Sequence, residues 1–297
     1  MQDRHIGDVR VTRIEEQMGP GFPAKDFFPE FDADTFAAEG HWLAPSYYQP
    51  ESGRLIASIH SWLLRTGKHT ILVDACSGNH KPRPGMPRFD MLNSKYLDRL
   101  REAGVEPEEI DYVMCTHLHV DHVGWNTKLE NGKWVPTFPK ARYVFAKGEY
   151  DYWAGQHEKA EVPPFGDSVL PVVAAKKAEI VGHDFTIGDH VKILPTPGHT
   201  PGHVAFTFGR GKDDAVFSGD LMHTPLQTHY PELSAKFDVD PAQAATTRKS
   251  FLERYCDTDT LCCTAHFPSP SAGKIRRSDL GFTCEAVGFS RTSSACD

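Results

Sequence analysis

Several absences in this sequence exclude whole classes of protein. The 297-residue chain has no apolar run near the ~18 residues that cross a membrane, and its start leads into no apolar stretch of the signal-peptide type. Its seven cysteines include no C-x-x-C pair, which argues against a disulfide framework and favours a reducing compartment. A net charge of −8 argues against a nucleic-acid partner. We therefore expect a cytoplasmic protein with neither a nucleic-acid nor a membrane partner.

The composition and the local pattern predict a layered α/β fold. Hydrophobic residues make up 39% and charged residues 24%, a globular balance. Strand-like runs are separated by Gly and Pro residues that break regular structure, and a few helical stretches lie between them. The predicted strands cover residues 9–14, 56–65, 70–74, 112–116, 143–146, 191–195, 204–208, 215–218 and 261–265. The predicted helices cover residues 94–103, 147–153, 168–178 and 241–255.

Residues 19–48 do not fit that scheme, because they are rich in proline and aromatic side chains. We interpret residues 1–55 as an N-terminal strand and an aromatic arm packed on a catalytic domain of residues 56–297, in a single structural domain overall. The arm either covers the surface of the domain or of a second subunit, or forms a lid or pocket wall for an apolar substrate. A homodimer held by this arm is a further hypothesis. The eight aromatics are Phe22, Phe27, Phe28, Phe31, Phe36, Trp42, Tyr47 and Tyr48.

The strongest chemical signal is the run from Thr116 to His122, which follows a predicted strand. In an extended backbone His117, His119 and Asp121 would project from one face, and His122 would join them only where the chain turns. Such a set suits two adjacent metals better than one. Imidazole with carboxylate ligands favours Zn(II), with Mn, Co or Fe as alternatives.

Three later strand ends offer one ligand each: His199, Asp220 and His266. Together with the first motif they would complete a site along one rim of a sheet. A carboxylate such as that of Asp220 can bridge two cations and hold them the ~3.5–4 Å apart that two-metal catalysis uses.

These residues, in this order, resemble the metallo-β-lactamase superfamily of dinuclear hydrolases. The resemblance runs from about Ile56 to His266 and implies an αββα sandwich with the metals at one edge. It implies that one metal is held by His117, His119 and His199, that a second is held by Asp121, His122 and His266, and that Asp220 bridges both. Asp121 and Asp220 would be the catalytic carboxylates, acting with a metal-bridging hydroxide.

A narrower resemblance connects the last third of the chain to the methyl parathion hydrolase and lactonase branch. It lies in residues 219–223, in the helix after Asp240 and in residues 265–270. We therefore expect a hydrolase of a small, fairly apolar ester, lactone or phosphotriester, including organophosphates. The alternatives are a thioesterase of the glyoxalase II type and a non-catalytic or other-substrate member of the same fold.

Several further residues carry weaker expectations. Asp74 resembles the aspartate that orients a metal-bound histidine in the superfamily, with a plain turn carboxylate as the alternative. His203 and His223 are expected to support ligands, or to have purely structural roles, rather than to bind metal. Cys76 and Cys115 are expected to be buried and inert. Trp125 fits a pocket or a core position equally well. The basic residues Lys274, Arg276 and Arg277 are most simply a solvated loop.

Overall fold

A computed structural model describes residues 2–30, 33–210 and 212–291 of the chain. No helix among these residues is both long enough and apolar enough to cross a membrane. The β-strands of the described residues are numbered in chain order: β1 (Gln2–Ile6), β2 (Val9–Pro23), β3 (Tyr48–Gln49), β4 (Arg54–Arg65), β5 (Thr70–Val73), β6 (Tyr112–Cys115), β7 (Thr127–Glu130), β8 (Lys133–Pro136), β9 (Arg142–Ala146), β10 (Ala178–Val181), β11 (Thr186–Ile187), β12 (Val191–Pro195), β13 (Val204–Phe208), β14 (Ala215–Phe217), β15 (Leu261–Cys263), β16 (Ala272–Ser278), β17 (Gly281–Ala286) and β18 (Ser290–Arg291).

The helices are shorter and lie mostly between strands. They are α1 (Ala24–Phe27), α2 (Ala33–Leu43), α3 (Tyr96–Glu102), α4 (Lys147–Lys159), α5 (Leu170–Ala174), α6 (Leu226–His229) and α7 (Pro241–Tyr255). Short 3-10 turns cover Pro107–Glu109, Gly124–Asn126 and Gly219–Leu221, and a π-turn covers Phe165–Val169.

The chain divides into two compact units. The first comprises Met1–Glu16, Ile59–Gly182 and Gly288–Asp297, and the second comprises Gln17–Ser58 and His183–Val287. Two of the four boundaries fall inside β2 and β4. The division into residues 1–55 and 56–297 within a single domain stays a prediction.

The first unit is built on a mixed sheet with the strand order β10-β9-β6-β5-β4-β2-β1-β18. Strands β5, β6, β9 and β10 are parallel neighbours. The core of this parallel set, β5, β6 and β9, consists mostly of buried apolar residues, as expected for strands that are covered on both faces. Residues 116–122 follow the carboxyl end of β6 and therefore lie at one edge of this sheet.

The second unit is built on a sheet with the strand order β11-β12-β13-β14-β15-β16-β17. Strand β13 is antiparallel to both β12 and β14, and β14 is parallel to β15. Strands β12, β14 and β15 therefore end at the same edge of the sheet. The loops that follow them carry His199, Asp220 and His266, so these three residues lie at one edge of this sheet, and their role as metal ligands stays a prediction.

Strands β7 and β8 form an antiparallel hairpin. Glu130 pairs with Lys133 across the two-residue turn Asn131-Gly132, and both turn residues have positive φ, at 51° and 75°. This turn closes the hairpin with the twist that antiparallel strands favour.

One expectation about an irregular segment is wrong, and another segment is more regular than its composition indicates. In the aromatic segment β2 continues to Pro23 and the helices α1 and α2 follow it. Its aromatic residues pack with Leu226, Leu233 and Ala235 of the second unit, while Phe31 lies outside the described residues. The basic residues 274–277 lie on β16 rather than in a loop. The antiparallel partner strand β17 carries Glu285, which forms an ion pair with Arg276 at 3.3 Å.

Candidate metal centre

In the first unit the ligand motif lies in a turn rather than on an extended strand. Strand β6 ends at Cys115, and the backbone N–H of His122 donates to the carbonyl of His119 at 3.1 Å. The expectation of alternating side chains on one strand face is therefore wrong. The turn nevertheless brings the side chains together, with His117 Nε2 at 3.1 Å from His119 Nδ1 and His122 Nε2 at 3.8 Å from Asp121 Oδ1.

Asp74 organises this turn from the end of β5. Its carboxylate accepts hydrogen bonds from the backbone N–H and the hydroxyl of Thr116, and it lies 2.9 Å from Nδ1 of His122. The Thr116 hydroxyl lies in turn 3.1 Å from Nδ1 of His117. The buried carboxylate therefore orients two of the imidazoles through their Nδ1 atoms.

Glu149, on α4, is a buried contact of the motif that the sequence analysis missed. Its Oε1 accepts from the backbone N–H of Leu118 at 3.0 Å and from the indole N–H of Trp153 at 2.7 Å. The indole ring meets the ring of His119 edge to face, with centroids 5.4 Å apart. Glu149 follows the motif by about thirty residues, so no local spacing could have identified it.

The neighbouring candidates of the first unit have structural roles. Trp125 is buried, stacks on Tyr96 and donates its indole N–H to Glu16 at 2.6 Å, which fits the core interpretation. Burial raises the pKa of the thiols of Cys76 and Cys115 well above its usual value, which keeps both thiols protonated and unreactive.

In the second unit three imidazoles surround the carboxylate of Asp220. Oδ2 lies 3.3 Å from Nε2 of His199 and 3.2 Å from Nε2 of His223, whereas Oδ1 lies 2.9 Å from Nε2 of His266. Asp220, His223 and His266 each offer a ligand atom within 4.8 Å of the others. The two carboxylate oxygens thus face different histidines.

His199 is fixed by a second buried carboxylate that the sequence analysis missed. Its Nδ1 lies 2.7 Å from Oδ1 of Asp238, 39 residues further along the chain. Burial by itself lowers the pKa of His199, but Asp220 and Asp238 outweigh it and raise this pKa to about 9. A metal ion binding His199 must therefore displace a proton.

His266, His203 and His223 differ in the partners of their ring nitrogens. Nδ1 of His266 lies 2.9 Å from the carbonyl oxygen of Ser58. Nε2 of His203 accepts from the backbone N–H of Asp220 at 3.1 Å, while burial lowers the pKa of His223, which stacks on His266. These contacts agree with the supporting roles expected for His203 and His223, which stay predictions.

The donor set fits divalent metal ions. The three histidines His122, His199 and His266 each have Nδ1 beside an oxygen acceptor, which assigns Nε2 as the metal-binding atom. Neutral imidazoles together with carboxylates are the ligands that Zn(II) and similar ions prefer.

Residues 57–266 match the family model of the metallo-beta-lactamase superfamily. The chain belongs to this superfamily. The predicted metallo-β-lactamase fold is thereby confirmed, and it is a fold of hydrolases.

The relatives of this superfamily member include lactonases. An N-acyl homoserine lactonase from a Bacillus species is 34% identical over 155 residues, which are 52% of this chain and 55% of the relative. The chain therefore spans about half the length of this relative. The solved structure of the hydrolase AbOPH has a TM-score of 0.83 at 24% identity and covers 98% of both chains. The dizinc quorum-quenching lactonase AidC has a TM-score of 0.79 at 21% identity with the same coverage.

Proposed function

We propose that this metallo-β-lactamase superfamily member is a dinuclear metal-dependent hydrolase that opens the lactone ring of a small molecule with an apolar acyl chain. The observation that carries the proposal is the carboxylate of Asp220, whose two oxygens face different histidines, as a carboxylate shared by two cations requires. The lactonase among the relatives supports the substrate class.

The proposed ligand assignment follows the superfamily pattern. One cation would be held by His117, His119 and His199, a second would be held by Asp121, His122 and His266, and Asp220 would contribute to both. Zn(II) is the proposed ion at both positions, with Mn, Co or Fe as alternatives. When bound, such cations lower the pKa of water toward neutrality and polarise a carbonyl oxygen.

The protein's own residues would then orient the groups and move the protons. Asp74, Asp238 and the carbonyl of Ser58 hold their histidines with Nε2 as the ligand atom. Asp121 is partly exposed, and its carboxylate would accept a proton from the attacking water. Water adds to the lactone carbonyl carbon, the ring C–O bond breaks, and the departing alkoxide takes up a proton to give a hydroxy acid.

An apolar wall of Phe22, Phe27 and Phe237 supports the proposal of an acyl chain. Phe27 lies edge to face against His223, with ring centroids 5.0 Å apart, and Phe22 and Phe237 both contact Phe27. Phe22 and Phe237 are only partly buried, and the ammonium of Lys236 lies 5.3 and 5.0 Å from their ring centroids, beside the apolar surface that they leave accessible. This interpretation favours the pocket-wall alternative for the aromatic segment.

The test compares rates for one substrate of each class. The chain is loaded with Zn, Mn or Co, with a chelated sample as control, and is given an N-acyl lactone, an open-chain aryl ester, a thioester and an aryl phosphotriester. We expect the lactone to give the highest kcat/KM, a value that rises with acyl length and is abolished by chelation. A preference for the phosphotriester would replace lactones with organophosphates, and a preference for the thioester would favour the glyoxalase II alternative. Turnover that survives complete metal removal would refute the proposal.

A further inference from the structure

Arg248 is the largest side chain that the structure buries almost completely. It lies in the middle of α7, is 1% exposed, and burial lowers the pKa of its guanidinium. Arginine is almost never buried to this degree unless its charge and its N–H donors are engaged. The contacts of this side chain therefore indicate which parts of the fold the buried guanidinium stabilises.

Three of these contacts are carbonyl oxygens of the segment that follows Asp220. Nε donates to the carbonyl of Leu221 at 2.7 Å, and Nη1 donates to the carbonyls of Pro231 and Leu233 at 2.7 and 2.8 Å. Leu221 is the residue directly after Asp220, so the guanidinium fixes the backbone at the base of that carboxylate.

The fourth contact is the carboxylate that holds His199. Nη2 of Arg248 lies 3.5 Å from Oδ2 of Asp238, which also accepts from the backbone N–H of Ala235 at 3.0 Å. Oδ1 of the same carboxylate faces His199 at 2.7 Å. Because both oxygens are engaged, the carboxylate cannot rotate away from the imidazole.

We propose that Arg248 is a positioning residue of the metal centre, which fixes His199 through Asp238 and fixes Asp220 through the carbonyl of Leu221. The proposal rests on the proposed function, because it takes both His199 and Asp220 as metal ligands. The contacts of Arg248 are with Asp238 and with backbone carbonyls, so it would act through other residues. Its effect is to hold two ligands of different chain segments in one orientation, which lowers the cost of ordering them when metal binds.

Arg83 of the first unit is a matched control. It is also buried, at 3% exposure, and its guanidinium makes two hydrogen bonds to the carboxylate of Asp167, at 2.7 and 2.9 Å. The carboxylate of Asp167 otherwise contacts Lys81 and Ser168, and none of the proposed metal ligands. A substitution of Arg83 therefore removes a buried arginine without touching the proposed metal centre.

The experiment measures metal binding rather than turnover. Wild type, Arg248→Met, Arg248→Lys and Arg83→Met are stripped of metal and titrated with Co(II), following the visible absorption bands and the dissociation constants from chelator competition. We expect Arg248→Met to bind at least one Co(II) about 10- to 100-fold more weakly and to change the absorption spectrum. Arg248→Lys keeps the positive charge but loses the several N–H donors of the planar guanidinium, so it should recover part of the Co(II) affinity. Arg83→Met should lose stability while its Co(II) affinity stays within about twofold of wild type.

The outcomes separate this proposal from the proposed function. Wild type that binds no Co(II) would refute the proposed function and this inference with it. Wild type that binds two Co(II) ions, together with Arg248→Met of unchanged affinity and spectrum, would overturn this inference alone. If Arg248→Met does not fold, Arg248→Lys and Asp238→Asn give the answer, since wild-type binding by both would overturn the proposal.

Discussion

At the scale of single residues, the candidate metal centre is organised by buried charges that are distant in sequence. Glu149, Asp238 and Arg248 each contact a proposed ligand or the backbone beside one, and each lies 27 or more residues from that group. A metal-binding motif is visible in a sequence because its spacing is local, whereas its supporting residues are selected only by proximity in the fold.

Glu149 gives a first prediction. Glu149→Ala removes the acceptor of the buried N–H of Leu118, so we expect it to lower the free energy of unfolding by about 1–3 kcal/mol and to weaken metal binding at His117 and His119. Glu158→Ala, at an exposed position of the same helix, is the control and should change stability by less than about 0.5 kcal/mol. Urea unfolding and metal titration measure both effects, and equal behaviour of the two variants would contradict the prediction.

Lys81 gives a prediction of pH dependence. Its ammonium group is buried beside Asp167 and Thr127, and burial lowers its pKa from 10.5 to about 8. Between about pH 8 and 10.5 the unfolded chain therefore binds more protons than the folded chain at this residue, so its contribution to the free energy of unfolding rises with pH, by up to about 3 kcal/mol.

The measurement for Lys81 is a difference between two proteins. Urea unfolding of wild type and of Lys81→Met is followed from pH 7 to pH 10.5. We expect the wild-type free energy of unfolding to rise relative to that of the variant across this range. If the difference in the free energy of unfolding between wild type and Lys81→Met stays constant or falls with pH, burial does not lower the pKa of Lys81 and the prediction is contradicted.

At the scale of elements, the turn after β12 depends on close packing against α7. Gly198 has φ of +135°, and a Cβ atom there would lie 2.3 Å from the backbone nitrogen of Ala244. The carbonyl of Gly198 also accepts from the backbone N–H of Asp240, whose side chain caps α7. The glycine therefore lets the loop that carries His199 approach the helix that carries Arg248.

Gly198→Ala tests this packing. We expect a loss of at least about 2 kcal/mol in the free energy of unfolding, because both the φ angle and the contact become strained. Gly155→Ala on α4 is the control, since nothing lies within 4 Å of its added methyl group and the substitution should stabilise by about 0.5–1 kcal/mol. Gly198→Ala of wild-type stability and metal affinity would contradict the prediction.

At the scale of the whole molecule, metal binding should contribute to the stability of the fold. A ligand that binds only the folded chain stabilises it by about 2.7 kcal/mol at a free concentration of 100 times its Kd. We expect chelation to lower the Tm of wild type and metal replacement to restore it, measured by circular dichroism. His199→Ala should show a smaller restoration. A wild-type Tm that is unchanged although mass spectrometry shows loss of both ions would contradict this.

Dimerisation through the aromatic segment also belongs to this scale and stays a prediction. Phe27, Phe28 and Phe36 are buried within the second unit, so among the described aromatics of this segment the partly exposed ones, such as Phe22 and Trp42, are available to a partner chain. The sedimentation coefficient of the intact chain tests this prediction, because a dimer sediments faster than a monomer of the same chain.

The sequence by itself determined the elements whose patterns are local. Strands β12 and β13 and the helix α7 have the predicted bounds, because each has a Gly or Pro near at least one of its ends: Pro195 ends β12, Gly209 follows β13 and Pro241 opens α7. The seven proposed metal ligands were identified from motifs at strand ends. The hairpin of β16 and β17 was missed, since its alternating basic residues resemble a solvated loop until the partner strand is present.

Only the tertiary structure decided how the proposed ligands are held. The turn that brings His122 to Asp74 depends on the pairing of β5 with β6, which the local pattern of residues 112–122 does not encode. The buried links from Arg248 to Asp238 and from Asp238 to His199 join segments 10 and 39 residues apart. Hydrogen bonds of this kind follow from where the chain folds back on itself, and burial makes them strong because it removes the competing water.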